Sequence, residues 1–439
     1  MTESDHTPDD RDDLGPAETA TEEAQAQVEA DVSATQALTG TDPSASATGR
    51  RRLFWNEVAV TAAAFVLAFL VGAILIVVSS PEIMAKFEYF FARPGDALGA
   101  SWDKVWSAYS ALVTGSLGGW GPITDTSARS APLICAGLGV ALAFRAGLFN
   151  IGGLGQATAG ATASAWVGFS IHGLPLVVHL PLAILAGLVA GGIWGGIVGV
   201  LKAKAGAHEV IVTIMMNYIA TGTLAWLLTT SAFQRPGRSD SISPIVDWSA
   251  TFPRVEGSQL HLGFVVALLA AVVVWWLIDR TGLGFQIRAV GANPSASATA
   301  GMSVPNITIT TMAISGALAG LAGVMVALGP ISGASPTPLT AGLVGSIGFD
   351  AITVALVGRS RPLGVVLAGL LFGAMNAGGL AMQAQAQTPL DLTVVLQALI
   401  VIFVAAPLLV KTILPFLKQR TKRRKPAPAA AASAQGGLS

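Results

Sequence analysis

Asn150, Gln156, Asn217 and Asn376 are carboxamides set inside long apolar stretches of the chain. A polar group there must find a partner or water in a low-dielectric slab. An amide carries both donors and an acceptor, which suits the hydroxyls or base edges of an uncharged solute and equally suits bonds between helices. Phe149 and Tyr218, each beside one of these amides, offer ring faces that stack on a planar base or pack in a core. These six residues are the candidates for a solute pathway. Glu209, preceded by His208 at the mouth of an apolar run, fits placement near the positive end of a helix and is read as structural.

Three polar segments surround or follow the candidates. In Arg145-Ala146-Gly147-Leu148-Phe149-Asn150-Ile151-Gly152-Gly153-Leu154-Gly155-Gln156, a cation, two amides and four glycines interrupt apolar sequence. A glycine-rich turn between helices would read this way, and so would a broken or re-entrant span. Non-helical backbone at membrane depth survives only where protein covers it or where it lines a watery cavity, so breaks point to a solute pathway. The stretch Gly345-Ser346-Ile347-Gly348-Phe349-Asp350 precedes a short apolar run ending at Gly358, and Asp350 is placed to N-cap that run as a helix. Residues 280–305 hold Gly284, Gln286, Arg288, Ala289, Gly291, Asn293 and Pro294. The Asn-Pro pair there should break a short helix.

Some chemistry is excluded. No Gly-Lys dipeptide occurs, so the G-x-x-x-x-G-K-[ST] phosphate loop is absent and any ATP must be handled by another chain. His6, His172, His179, His208 and His261 are scattered, with no H-E-x-x-H or Cys-His cluster for a metal. The single Cys135 has no intrachain partner and reads as a small buried hydrophobe. No enzyme constellation, metal site or bound cofactor is expected in this chain.

The elements that must position these residues are membrane helices. Of 439 residues, 52% are hydrophobic and 11% charged, well under the roughly one quarter charged of soluble domains. Fifty glycines without a collagen-like period suggest helices whose backbones approach closely in lipid. The expected fold is therefore an all-α integral membrane protein of about ten transmembrane helices with broken or re-entrant segments. Apolar stretches lie at roughly 57–79, 131–144, 148–170, 177–201, 209–230, 262–279, 306–329, 341–357, 363–382 and 391–410, most of them near the ~20 residues that span a bilayer. Residues 1–49 hold 12 of the 25 acidic residues and one basic residue, Arg11, and read as a disordered acidic cytoplasmic tail. Residues 50–417 form the transmembrane domain, and 418–439, basic and then rich in Ala, Pro and Gly, form a second cytoplasmic tail. Ten crossings put Arg50 to Arg52, Arg145, Lys202 with Lys204, Arg280 with Arg288, and Arg359 with Arg361 on the inside with both termini. The opposite side receives the connections 80–130 and 231–261, with Glu82, Glu88, Asp96, Asp103, Asp240, Asp247 and Glu256. No cleaved secretory signal is seen, because the opening residues are acidic.

The segment 145–156 resembles the FRxGLFNIGxxGQ signature of the permeases that serve nucleoside and simple-sugar ABC importers, within the wider group of ribose-type and branched-chain amino-acid permeases. The resemblance continues, in the same order, through Glu209-Val210-Ile211-Val212-Thr213-Ile214-Met215-Met216-Asn217-Tyr218-Ile219-Ala220, then Arg288-Ala289-Val290-Gly291-Ala292-Asn293-Pro294, then Asp350-Ala351-Ile352-Thr353-Val354-Ala355-Leu356-Val357-Gly358. It covers about residues 57–410. One departure is Leu154, where the family often carries an acidic residue. The resemblance implies a permease subunit in a bacterial cytoplasmic membrane, without nucleic-acid partners. It also implies a second permease subunit, identical or related, an ATPase subunit that uses ATP and magnesium, and an extracytoplasmic solute-binding protein. Residues 280–305 would contain a coupling helix seated in the ATPase, involving Gly284, Gln286, Arg288, Ala289, Gly291, Asn293 and Pro294. The solute would be a nucleoside, or else a sugar or branched-chain amino acid. A secondary transporter driven by an ion gradient is the other class to weigh, with Asp350 and Asp391 as its realistic carboxylates. A structural membrane protein would not require glycine-broken spans.

Overall fold

The computed structural model describes residues 47–330, 337–406, 410, 412 and 413. The expected acidic and basic tails lie outside the described residues, apart from 47–49, which are helical. Two units are distinguished. Of the one comprising residues 1–62 and 416–439, only the helix from Ala47 onward is described. The other, residues 63–415, is the helical body. Among the described residues there is no β-strand beyond a single antiparallel bridge between Arg254 and His261.

Among the described residues the helices in chain order are α1 Ala47–Val78, α2 Pro81–Phe87, α3 Pro94–Leu117, α4 Trp120–Arg145, α5 Gly153–Ser170, α6 Leu176–Ala205, α7 Glu209–Leu227, α8 Leu262–Arg280, α9 Gly282–Ala292, α10 Pro294–Thr299, α11 Val304–Leu328, α12 Ile347–Val357, α13 Pro362–Ala386 and α14 Leu390–Ala405. Seven of them are long and apolar enough to cross a membrane: α1 from Ala59, α4, α6, α7, α8, α11 and α13. The sequence expectation was about ten. The difference has identifiable causes. α5 has 18 residues, but Ser, Thr, Gly and Gln dilute its hydropathy, which protein burial tolerates. α12 and α14 are apolar but short, at 11 and 16 residues.

The connection expected over 80–130 is instead mostly helix. α3 turns Ala97, Ala108, Ala111 and Leu112 inward and exposes Trp102 and Trp106, whose rings stack at 6.3 Å. Lys104 Nζ donates to the Ala386 carbonyl at 2.8 Å, a cation at the C-terminal end of α13 where carbonyls lack partners. α4 likewise begins at Trp120, eleven residues before the expected start, and carries Pro132 within it.

α4 and α11 are the buried centre. The Ser315 hydroxyl on α11 donates to the Gly139 carbonyl on α4 at 2.7 Å, and Cys135 Sγ lies 3.8 Å from Met325 Sδ. Against α11, α6 presents Gly187, Gly191, Gly195 and Gly199. A Cβ on Gly191 would lie 2.6 Å from Gly320 Cα, and one on Gly316 would lie 2.9 Å from Gly195 Cα. The backbones therefore touch directly, the contact that small residues make possible where lipid supplies no hydrophobic drive for association.

Candidate functional site

The chain leaves α4 at Arg145 through a turn that needs glycine: Gly147 has φ +69°, a left-handed conformation that a Cβ disfavours. The Leu148 N–H reaches back to the Ala143 carbonyl at 3.0 Å, closing the end of the helix. Irregular backbone follows until α5 begins at Gly153, three residues before Gln156, so the break is shorter than the polar run suggests.

Three of the expected pathway amides hold this break together. Asn150 Nδ2 donates to Gln156 Oε1 at 2.9 Å and to Ser315 Oγ at 2.8 Å. Asn150 Oδ1 accepts from the Gly152 N–H at 2.9 Å and from Gln156 Nε2 at 3.1 Å. From α7, Asn217 Oδ1 accepts from the Gly155 N–H at 2.8 Å, and Asn217 Nδ2 donates to the Ile151 carbonyl at 3.0 Å. All three side chains are buried. Buried irregular backbone is costly unless its polar groups are paired, and here side chains supply the pairing that a helix would have made internally. The other three candidates lie apart from this network. Phe149 is exposed and stacks on Phe144 at 5.1 Å, Tyr218 is exposed on α7, and half-buried Asn376 on α13 accepts from Gln397 Nε2 on α14 at 3.5 Å.

The second break meets the first. α12 begins at Ile347 after turns over 341–346. Its N-cap is Ser346 rather than Asp350, because the helix starts four residues earlier than the sequence reading placed it. Asp350 sits in the first turn and accepts from the Ser346 hydroxyl at 2.7 Å. A Cβ on Gly153 would lie 3.2 Å from Gly348 Cα, and one on Gly348 would lie 2.9 Å from Leu154 Cβ. Two helix N-termini that both follow interrupted backbone therefore abut through glycines.

The same turn touches α9. The 280–305 segment is α9 and α10, with Thr281 Oγ1 accepting from the Gly284 N–H at 3.0 Å and Asn293 Oδ1 accepting from the Ala296 N–H at 2.9 Å. Each is an N-cap for the helix that follows it. Gly284 packs against the end of α8, where a Cβ would lie 2.7 Å from Ile278 Cα; a Cβ on Gly291 would lie 2.9 Å from the Ala146 carbonyl carbon. Arg288 Nη1 faces Asp279 Oδ1 at 3.8 Å. Gln286 and Asn293 are exposed, Pro294 is exposed, and Ala289 is half-buried. Arg145 Nε donates to the Ser360 carbonyl at 3.0 Å. Ser360 lies between α12 and α13, where Arg359 and Ser360 hold φ of 52° and 50°, a conformation unfavourable for residues with side chains. The 145–147 turn is thus a junction of α4, α9, the α12–α13 turn and the first break.

Sequence reading missed Ser315, which closes the Asn150 network from 165 residues away. It also missed Asp125 and Arg129, an ion pair at 3.0 Å on α4. Their signal was present as opposite charges four residues apart, but they fell in a stretch read as a connection. Lys202 and Glu209 form a further ion pair at 2.5 Å between α6 and α7, in keeping with a structural reading of Glu209. Among the described residues no group of three or more His, Cys, Asp or Glu gathers to hold a metal ion.

Residues 123–405 match the family described as branched-chain amino acid transport system / permease component. The guanosine ABC transporter permease protein NupP of Bacillus subtilis is 42% identical over 72% of this chain and 90% of its own length. The nucleoside ABC transporter permease protein NupB of Lactococcus lactis is 34% identical over 83% of this chain and 94% of its own. The glucose ABC transporter permease protein TsgB13 of Haloferax volcanii is 33% identical over 67% and 79%. No solved structure matches. The matched region runs from the start of α4 to the end of α14 and takes in both breaks, their junction and α9, and on that ground the chain belongs to the family of branched-chain amino acid transport system permease components.

Proposed function

We propose that this multi-pass membrane protein is the permease subunit of an ABC importer and carries nucleosides across the bacterial cytoplasmic membrane by ATP-driven alternating access. The observation that carries the reading is the 42% identity to a guanosine permease over nine tenths of that protein. The sugar permeases among its relatives make simple sugars the neighbouring solute class.

In this reading the chain crosses the membrane about ten times, with both termini in the cytoplasm, and α5, α12 and α14 complete the crossings beside the seven long helices. α9 is the coupling helix. Gln286, Arg288, Ala289 and the Asn293–Pro294 corner meet a separate ATPase subunit, which uses ATP and magnesium, while Gly284 and Gly291 hold α9 against α8 and the 145–147 turn. A second permease subunit completes the pore, and an extracytoplasmic solute-binding protein delivers the solute. Asn150, Gln156 and Asn217 act on the pathway by fixing the shape of the first break. Phe149, Tyr218 and Asn376 lie outside that network and offer a ring, a phenol and an amide to solute. What supports this division is the contrast between three fully engaged amides and three side chains with exposed or part-exposed groups.

The test is uptake of a radiolabelled nucleoside into vesicles that contain the permease and its ATPase. Uptake should require ATP and persist when ionophores dissipate the proton and sodium gradients. Uptake that collapses with an ionophore and ignores ATP would assign the chain to ion-coupled transport instead.

A further inference from the structure

At the end of α4 away from Arg145, a cavity of about 740 Å³ opens between α3, the beginning of α4, the 254–259 turn and the last turns of α13. We propose that this cavity binds solute and reads a vicinal diol, the ribose side of a nucleoside, through the Asp125 carboxylate and the Arg129 guanidinium. The inference rests on the nucleoside reading above and adds the residues and the part of the solute they recognise.

The volume falls within the range of small-molecule sites, roughly 300–1,000 Å³. The chemistry of the wall narrows the choice. Arg129 Nε donates to both Asp125 oxygens, at 3.1 and 3.0 Å. The two side chains are 26% and 24% exposed and line the cavity. One guanidinium N–H is used in this pairing out of five, and a carboxylate keeps further lone pairs. The pair therefore presents acceptors and donors side by side. Two adjacent hydroxyls, each donating once and accepting once, match that arrangement, whereas a hydrocarbon or a lone charge does not. Charged groups within an apolar helix of membrane-crossing length are expensive to maintain, and those that persist mark solute pathways.

The remaining wall is fixed before solute arrives. Thr124 Oγ1 donates to the Gly121 carbonyl at 2.8 Å and accepts from the Gln259 N–H at 3.3 Å, and Arg254 Nη1 donates to Gln259 Oε1 at 3.4 Å. The Gln259–Thr124 bond ties the 254–259 turn to α4. Leu380 and Pro122 supply apolar surface on which a planar base can rest. Gln385 adds an amide at the α13 side. Position agrees with this use: Arg129 and Arg145 are separated by 16 residues of one helix, about 24 Å at 1.5 Å per residue. The cavity and the α9 junction thus occupy opposite ends of the same rod.

The experiment measures binding of a radiolabelled ribonucleoside and of its 2′,3′-dideoxy counterpart to the purified permease–ATPase complex, without the solute-binding protein. The wild type should bind the ribonucleoside about tenfold or more tightly than the dideoxy compound. Asp125→Asn and Arg129→Gln should each abolish that preference by weakening ribonucleoside binding while leaving dideoxynucleoside binding unchanged. A single variant that weakens binding of the ribonucleoside and of the dideoxy compound by the same factor would show the pair to be structural and overturn the proposal. Equal wild-type affinity for the two compounds, or no binding of either, would also overturn it. Where one single variant fails to fold, the other decides. Nucleoside import itself is read separately by ATP-dependent uptake in the wild type, so loss of this inference and loss of the importer reading are distinguishable.

Discussion

Asn150 spends every polar atom of its amide inside the protein, on Gln156, Ser315 and the Gly152 N–H. Asn150→Ala leaves the Gln156 amide and that N–H without their partner, and an orphaned buried group costs about 1–3 kcal/mol. Thermal unfolding in detergent should show a lowered midpoint. An unchanged midpoint accompanied by altered solute preference would instead place the amide on the solute. The residue type and its position inside an apolar stretch were legible in the sequence; the engagement was not, because Ser315 lies 165 positions away and only folding brings it near. His261, just before α8, gives a second case. It is buried against Phe252 at 5.7 Å, its Nδ1 accepts from the Gly263 N–H at 3.1 Å, and its Nε2 is buried with no hydrogen-bond partner. Burial, with a smaller contribution from the Arg254 charge, holds its pKa down from 6.5 to about 4. Below pH 6.5 the unfolded chain takes a proton that the folded chain refuses, so stability is fully present above that pH. It falls as pH drops toward 4, by up to about 3 kcal/mol. Unfolding followed from pH 7 to 4 should show this slope in the wild type and its reduction in His261→Gln.

Elements differ in how openly the sequence declared them. The end of α9 was legible because Asn293 and Pro294 carry a local signal for where a helix stops, whereas α10, which Asn293 caps, was not read. α3 was not legible either, since Asp103 and Lys104 beside two exposed tryptophans dilute its apolar pattern and resemble a connection. The two breaks were visible as glycine runs, yet nothing local revealed that they pack on each other. Gly348→Ala tests that contact. The added methyl would lie 2.9 Å from Leu154 Cβ and nearer still to backbone, and overpacking of this kind costs about 1–3 kcal/mol. Reduced uptake and a lower unfolding midpoint are expected together, whereas Gly342→Ala, where an added methyl meets nothing within 4 Å, should leave both unchanged.

At the scale of the whole molecule, the all-helical membrane character was legible in composition, whereas the expected number of crossings was about ten against seven helices long and apolar enough to cross among the described residues. Length and hydropathy count α4 and α11 although protein covers them, and pass over α5, whose Ser, Thr, Gly and Gln dilute its apolar character. The single native cysteine, Cys135, is buried, which gives a clean background for thiol labelling. Ser295→Cys on α10 and Ser239→Cys in the 231–261 connection are both exposed positions. An impermeant maleimide added to intact cells should modify the second and spare the first, and the pattern should reverse in inside-out vesicles; any other pattern removes α9 from the ATPase side. The α6–α11 contact sets a limit on how such a machine moves. Where main chains rest on one another with no side chains between them, there is no cushion to slide upon and no alternative rotamer to adopt. Those two rods are expected to travel as a single plank.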